Sequence, residues 1–232
     1  MSSRLLLALE TACGGPAVVL LRGDEVLAEA SGPPGSRGAE HLLPCIDRVL
    51  GEAGLPLAGI EAFAVSIGPG SFTGLRVGVA TLKGLAFGDH RPVAAVPTLE
   101  AVASAAADGD RAIVAVLDAQ RDEFYVSGFD PSDAAGPLVA CAPVEGVYRP
   151  EQLAPLLPGG CALAGPGAAL CAEALGRAAP PVVVGQVPLA AAVGRLGQIQ
   201  VAAGDFVSSA GLVPRYLRRA EAEVKRTGQR FE

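Results

Sequence analysis

Residues Ala64-Val-Ser-Ile-Gly-Pro-Gly-Ser-Phe-Thr-Gly-Leu-Arg-Val-Gly-Val-Ala-Thr-Leu-Lys-Gly-Leu-Ala86 set a buried strand, a glycine-proline turn and a helix in direct succession. Gly68 and Gly70 permit backbone angles closed to other residues, and Pro69 fixes the turn between them. Ser71 stands where a hydroxyl can cap the first amides of the helix. That helix carries one apolar stripe of Phe72, Leu75, Val79, Leu82 and Ala86, and a second of Gly74, Gly78, Thr81 and Leu85. Only Arg76 and Lys83 mark a polar edge. A helix apolar on two sides lies between two packing partners. Either both come from this chain, making a core helix of a larger sheet, or one is another protein. Gly70, Gly74 and Gly78, four apart, would let another backbone come close.

Working outward, apolar runs at 5–9 and 17–21 are joined by Cys13-Gly-Gly-Pro16, a hairpin signal, and a third strand follows at 26–30. A loop at 32–38 leads to a helix at 39–53, where Leu42, Leu43, Ile46, Val49, Leu50 and Ala53 recur at helical spacing. Strand 62–67, helix 72–87, strand 92–96 and a helix from 99 complete this half. Beyond Asp108-Gly-Asp110 the order begins again. Strand 112–117 ends in Asp118, residues 120–122 turn, and strands 123–129 and 137–143 follow. Then come helix 150–157, strand 161–164, a second Gly165-Pro-Gly167, helix 168–177, strand 182–184 and helix 189–203. The glycine turns lie 97 positions apart and the strand-end acids Glu10 and Asp118 lie 108 apart. The expectation is an α/β protein of two duplicated lobes, 1–109 and 110–232, facing one another. The tail after Gly211 should pack back across the structure.

The totals exclude several classes. Of 232 residues half are hydrophobic and 18% charged, so a sizeable core forms and global disorder is not the reading. With no tryptophan and 4% aromatics, a base-stacking surface is not expected. The net charge of −6 argues against a whole surface built for a polyanion. Charge is uneven, however: from Pro214 six basic residues (Arg215, Arg218, Arg219, Lys225, Arg226, Arg230) meet three acidic ones (Glu221, Glu223, Glu232). That tail reads as a solvated helix with internal pairing, or as a contact for RNA or an acidic partner. Five scattered cysteines, 13, 45, 141, 161 and 171, form no CxxC pair and read as small buried hydrophobes in a reducing compartment. The run at 5–9 is too short for a secretory core and no apolar run approaches a membrane span. A cytoplasmic protein without a membrane partner is expected.

The segment Gly68-Pro-Gly-Ser-Phe-Thr-Gly-Leu-Arg-Val-Gly-Val-Ala-Thr-Leu-Lys-Gly-Leu-Ala86 resembles the signature of the bacterial TsaB (YeaZ) family. The likeness extends through Leu7-Ala-Leu-Glu-Thr11, Glu40-His-Leu-Leu-Pro44 and Val96-Pro-Thr-Leu-Glu-Ala-Val102. It continues in Leu117-Asp-Ala-Gln-Arg-Asp-Glu-Phe-Tyr125 and Pro214-Arg-Tyr-Leu-Arg218. Such a resemblance implies the actin/Hsp70/sugar-kinase class of paired ribonuclease-H-like lobes. It also implies an accessory, non-catalytic subunit of the machinery that makes threonylcarbamoyladenosine at tRNA position 37. Its partner would be TsaD, with TsaE, an ATPase, joining the pair; ATP, metal and tRNA would be handled by the assembly and not by this chain alone. Helices 39–53 and 72–87 would form an apolar platform in a four-helix seam with TsaD. Its residues are His41, Leu42, Cys45, Ile46, Val49, Ser71, Gly74, Val77, Gly78, Thr81 and Leu85. If the seam is self-complementary, the free chain would also dimerise. Gly78→Leu should then obstruct the seam while sparing the fold.

In nucleotide-binding relatives of that fold, strand-end acids and glycine turns hold phosphate and metal. Here the matching places are Glu10, Thr11, Gly68, Gly70 and Asp118, with no GxxxxGK[ST] loop. They mark either an ATP-dependent transferase or kinase acting alone, or leftover fold architecture. Many members of the family have Asp where this chain has Glu10. The catalytic sister family, TsaD, carries two histidines four apart where this chain has Thr98 and Val102, which cannot grip a metal. His41 and Cys45 stand i, i+4 but have only His90 to join them, and Pro44 should bend or start the helix between them. Ser71 is one place early for a GxSxG nucleophile.

Overall fold

The computed structural model describes residues 4–33, 38–88, 90–130 and 138–218. It forms two compact units, one of residues 1–101 and 188–214, the other of residues 102–187 and 215–232.

In the first unit β1 (Leu5–Glu10), β2 (Ala17–Arg22) and β3 (Glu25–Ser31) form an antiparallel meander, and β4 (Ala62–Gly68) and β5 (Val93–Pro97) extend it in parallel beyond β1. Alternation along β1 sorts the core onto two faces. Leu7 and Leu9 point to one, with Val18, Leu20, Phe63 and Val65. That face is covered by α1 (Gly38–Ala53) through Leu42, Cys45, Ile46 and Val49, and by α2 (Phe72–Leu85) through Val79 and Leu82. Leu6 and Ala8 point to the other, with Val19, Leu21, Ala62, Ala64 and Ala94. Here α6 (Leu189–Ala203) lies down with Ala190, Val193, Leu196 and Val201. It can lie close because the sheet face is alanine-rich and the helix carries glycine at the crossing. A Cβ on Gly197 would stand 2.5 Å from that of Ala64.

Placing residues 188–214 in the first unit departs from the 1–109 and 110–232 division. Element order repeats faithfully, yet the helix that ends the second repeat covers the first sheet. The hydrophobic match of α6 to the alanine face overrides its place in the sequence. Val207, further along, bridges Val93 at the β5 edge with paired backbone bonds of 3.1 and 3.0 Å, and Leu212 is buried in the first core. The division itself falls inside α3 (Thr98–Ala106), between Ala101 and Val102.

The second unit repeats the topology with β6 (Ile113–Asp118), β7 (Phe124–Asp130), β8 (Val139–Tyr148), β9 (Ala162–Ala164) and β10 (Val182–Val183), in the order β10-β9-β6-β7-β8. Its helices are shorter: α4 (Pro150–Leu153) runs into a 3-10 turn, and α5 (Ala168–Leu175) follows the second Gly-Pro-Gly. Leu153, Ala168 and Cys171 pack on Val114, Val116, Phe124, Val126 and Leu163. β8 reaches Tyr148, five residues past the expected strand end, while residue 137 lies outside the described residues. So do 34–37 of the first loop and the tail residues Arg219, Glu221, Glu223, Lys225, Arg226, Arg230 and Glu232. α1 runs through Pro44, which neither starts nor ends it. Among the described residues no helix is long and apolar enough to cross a membrane.

Candidate functional site

Glu10 ends β1 with its carboxylate turned into the molecule, 2% exposed. Oε1 accepts from the amides of Ala12 (2.7 Å) and Cys13 (3.1 Å) and from Ser66 Oγ (3.2 Å), whose oxygen stands 3.4 Å from the donating Thr11 amide. These donors bind the loop after β1 to the strand end. Burial nevertheless dominates and pushes the carboxyl up to about 7, against the lowering pull of the Ala12, Ser66 and Cys13 bonds. The neighbouring Cys13 thiol is pushed well above its usual range, first by burial and then by the Glu10 charge. A thiol so placed is a poor nucleophile.

The glycine-rich turn closes over this loop. Ser71 N donates to Ala12 O at 2.9 Å, and Ser71 Oγ caps α2 by accepting from Gly74 N at 3.2 Å. A Cβ on Gly70, whose φ is +154°, would stand 2.7 Å from Ala12 O. One on Gly74 would overlap the Thr11 carbonyl oxygen, and one on Gly78 would overlap Thr11 Oγ1. The glycine row therefore admits this chain's own Thr11–Ala12 backbone. Thr11 Oγ1 itself is buried without a hydrogen-bond partner. Gly68 N donates to the hydroxyl of Thr98, fully buried, at 3.1 Å.

Phosphate or metal is a poor fit to this arrangement. Glu10 is enclosed and satisfied by amides, and Gly70 and Gly74 lie against the Thr11–Ala12 backbone. Thr98 is spent on the turn, and Val102 is 3% exposed. Among the described residues no three His, Cys, Asp or Glu side chains are grouped to hold a metal. Ser71 is a helix cap, as its bond to Gly74 records.

The expected platform divides in two. Leu42, Cys45, Ile46 and Val49 are buried on their own sheet, at 6% exposure or less, and Gly74 and Gly78 are buried against Thr11. They hold the unit together and cannot present a surface. Of the rest, His41, Val77, Thr81 and Leu85 are half-buried, Val77 and Leu85 also packing against the first core, and Ser71 is exposed at the α2 start. Sequence periodicity undervalued Leu43, which is 53% exposed on α1, and Phe87, 88% exposed just past α2. Both belong to apolar runs, so a stripe alone does not separate the inward from the outward residues.

In the second unit the equivalent turn behaves alike. Gly165 has a φ of +107°, Gly167 N donates to Val116 O at 3.0 Å, and a Cβ on Gly167 would stand 2.7 Å from Asp118 N. Asp118 differs from Glu10 in being exposed. Its oxygens accept from Gln120 N (2.6 Å) and Gln120 Nε2 (2.8 Å). Gln120, Arg121 and Asp122 all have φ near +60° (64°, 61°, 59°), a left-handed run that costs roughly 1–2 kcal/mol per residue. The sequence marks a turn here but nothing in Gln-Arg-Asp marks its hand.

Sequence reading also passed over a set of ion pairs. Glu123, 8% exposed, pairs with Arg218 and stands 3.6 Å from Arg149 Nε, while Glu145 pairs with Arg215. Burial raises the Glu145 carboxyl and Arg215 lowers it. The two tail cations among the described residues, Arg215 and Arg218, are thus engaged within the fold. The Pro214-Arg-Tyr-Leu-Arg218 motif was the available signal.

Two α/β units of one strand order make a fold like that of the actin, Hsp70 and sugar-kinase proteins. The activator of the 2-hydroxyisocaproyl-CoA dehydratase from Clostridium difficile, solved with bound ADPNP, shares this fold at a TM-score of 0.51 and 10% identity, over 86% of this chain and 96% of its own. YeaZ from Pseudomonas aeruginosa is far more similar: TM-score 0.78 and 31% identity, over 94% of this chain and all of that one. The family model described as TsaD, tRNA N6-adenosine threonylcarbamoyltransferase, matches residues 36–164. The tRNA threonylcarbamoyladenosine biosynthesis protein TsaB of Haemophilus influenzae is 40% identical over 134 residues, which are 55% of this chain and 54% of that protein. The chain thus matches about half the length of its curated relatives. It belongs to the TsaB (YeaZ) family.

Proposed function

We propose that this chain is a non-catalytic accessory subunit that binds TsaD and supports it in forming threonylcarbamoyladenosine at tRNA position 37. One observation carries the reading beyond family membership. Gly70, Gly74 and Gly78 pack against the chain's own Thr11–Ala12 segment, and Glu10, the acid that ends β1, is buried under the amides of that loop. The acid that ends β1 and the glycine row beside it are used in packing, which supports a non-catalytic reading. TsaE, ATP and metal enter through the assembly, as does tRNA. Two duplicated ribonuclease-H-like lobes are the ancestry this implies, and the cytoplasm is the compartment. Without TsaD the same face would pair with a second copy.

The docking face is the outer side of α1 and α2, with Leu43, Val77, Thr81 and Leu85 at its centre and His41 and Ser71 at its rim. Half-exposed aliphatic side chains on two adjacent helices suit a seam of about 1,200–2,000 Å² in total. Gly78→Leu is no test of it, because the added side chain would strike Thr11 inside the unit. Leu43→Arg and Thr81→Arg are sound tests, since neither side chain belongs to the first core. Binding of purified TsaD, measured by calorimetry on variants with wild-type circular dichroism, should weaken by about tenfold or more for each. Unchanged affinity in both would refute this face. Calorimetry of the isolated chain with ATP and magnesium should show no saturable heat.

A further inference from the structure

We infer that Arg218 is a clasp that holds the turn at residues 119–123 in its left-handed form from the far end of the chain. Gln120, Arg121 and Asp122 occupy three successive left-handed conformations without a glycine among them. Such a run persists only where its surroundings impose it. Within the turn, Ala119 N donates to Glu123 O at 2.9 Å and Glu123 N to Gln120 O at 3.3 Å, and Asp118 holds Gln120 by backbone and side chain. These bonds close the loop but all arise from the loop itself.

One restraint from outside is Arg218. Its Nη1 donates to Ala119 O at 2.7 Å and its Nη2 pairs with the Glu123 carboxylate, so one planar guanidinium grips both ends of the turn. The pair is well enclosed, with 18% of the arginine side chain and 11% of the glutamate side chain exposed, so salt screens it little. Arg215, three residues before, pairs with Glu145 on β8 and delivers Arg218 to its seat. Arg149 approaches the other Glu123 oxygen at 3.6 Å, leaving the carboxylate charge balanced from two sides. The turn follows the C-terminal end of β6, where Leu117 and Asp118 lie against Gly167 of the second Gly-Pro-Gly. Withdrawal of the C-terminal segment would therefore loosen the mouth of the second unit while its core stays intact. The motif Pro214-Arg-Tyr-Leu-Arg218 would then act on a turn about a hundred positions earlier.

Hydrogen exchange of the full chain tests this. In Arg218→Ala and in Glu123→Gln, the Ala119 and Glu123 amides should exchange about tenfold faster, with Val114 and Val116 of β6 unchanged. Asp122→Gly, which relieves one left-handed residue, should recover part of that protection when added to Arg218→Ala. If Arg218→Ala does not fold, Arg218→Lys serves: an ammonium lacks the planar fork for both acceptors, and the same two amides should speed up. The clasp is refuted if those amides keep wild-type rates, or if they accelerate only in step with β6.

Discussion

At the scale of single residues, glycines with different tasks share one helix. Gly74 and Gly78 are where α2 meets Thr11, and any side chain there strikes backbone or the Thr11 hydroxyl. Gly84, in the same helix, has nothing within 4 Å of the position its Cβ would take. Gly78→Ala should cost about 2 kcal/mol or more, while Gly84→Ala should stabilise by roughly 0.5–1 kcal/mol. Urea denaturation reads both, and a neutral Gly78→Ala would mean that α2 can shift away from β1. Glu10 makes a second prediction. Its carboxyl titrates near 7 when folded because it is buried, and near 4.5 when unfolded. Between those values the folded chain holds a proton that the unfolded chain has released. Stability should therefore fall as pH rises from 5 to 8, by on the order of 3 kcal/mol from this group. Glu10→Gln should flatten the slope in urea midpoints; a variant as pH-dependent as wild type would assign the effect elsewhere.

At the scale of elements, α6 shows how packing outranks sequence order. Its residues 189–203 appear at the right place for the last helix of a second repeat, and the sequence shows no reason to move them. Yet the face they cover is the one formed by Leu6, Ala8, Val19 and Leu21. A fragment of residues 1–109 lacks that cover and should expose an apolar sheet face. It should aggregate or bind a hydrophobic dye. Joining residues 1–101 to 188–214 through a short flexible linker should give a cooperative thermal transition. A monomeric, cooperatively folding 1–109 fragment would show that α6 is dispensable. α1 illustrates the reverse limit: its period told where the helix lies, but the face chosen as a platform, Leu42, Cys45, Ile46 and Val49, is the core. Apolar periodicity contains the buried stripe but does not exclude Leu43, which shares the helical spacing and is exposed.

At the scale of the whole molecule, two units carry the same strand order while their strand ends have diverged. Glu10 is buried under amides and Asp118 is exposed beside a left-handed turn. Mixing this chain with TsaD, TsaE, ATP and tRNA should raise threonylcarbamoyladenosine formation, and omitting TsaD should abolish it. Product made by this chain without TsaD would overturn the accessory reading.

The sequence alone determined the strands, the helices, their repetition and the family. Each of these rests on local spacing: period two, period near 3.6, and glycine-proline turns that need particular backbone angles. Tertiary structure alone decided which sheet α6 covers, which helix face is free, what the glycine row admits and where Arg218 and Arg215 are used. Those outcomes depend on contacts between residues up to about a hundred or more positions apart, chosen by shape and desolvation. A helical pattern gives the stripe that is buried; it does not name the surface that buries it.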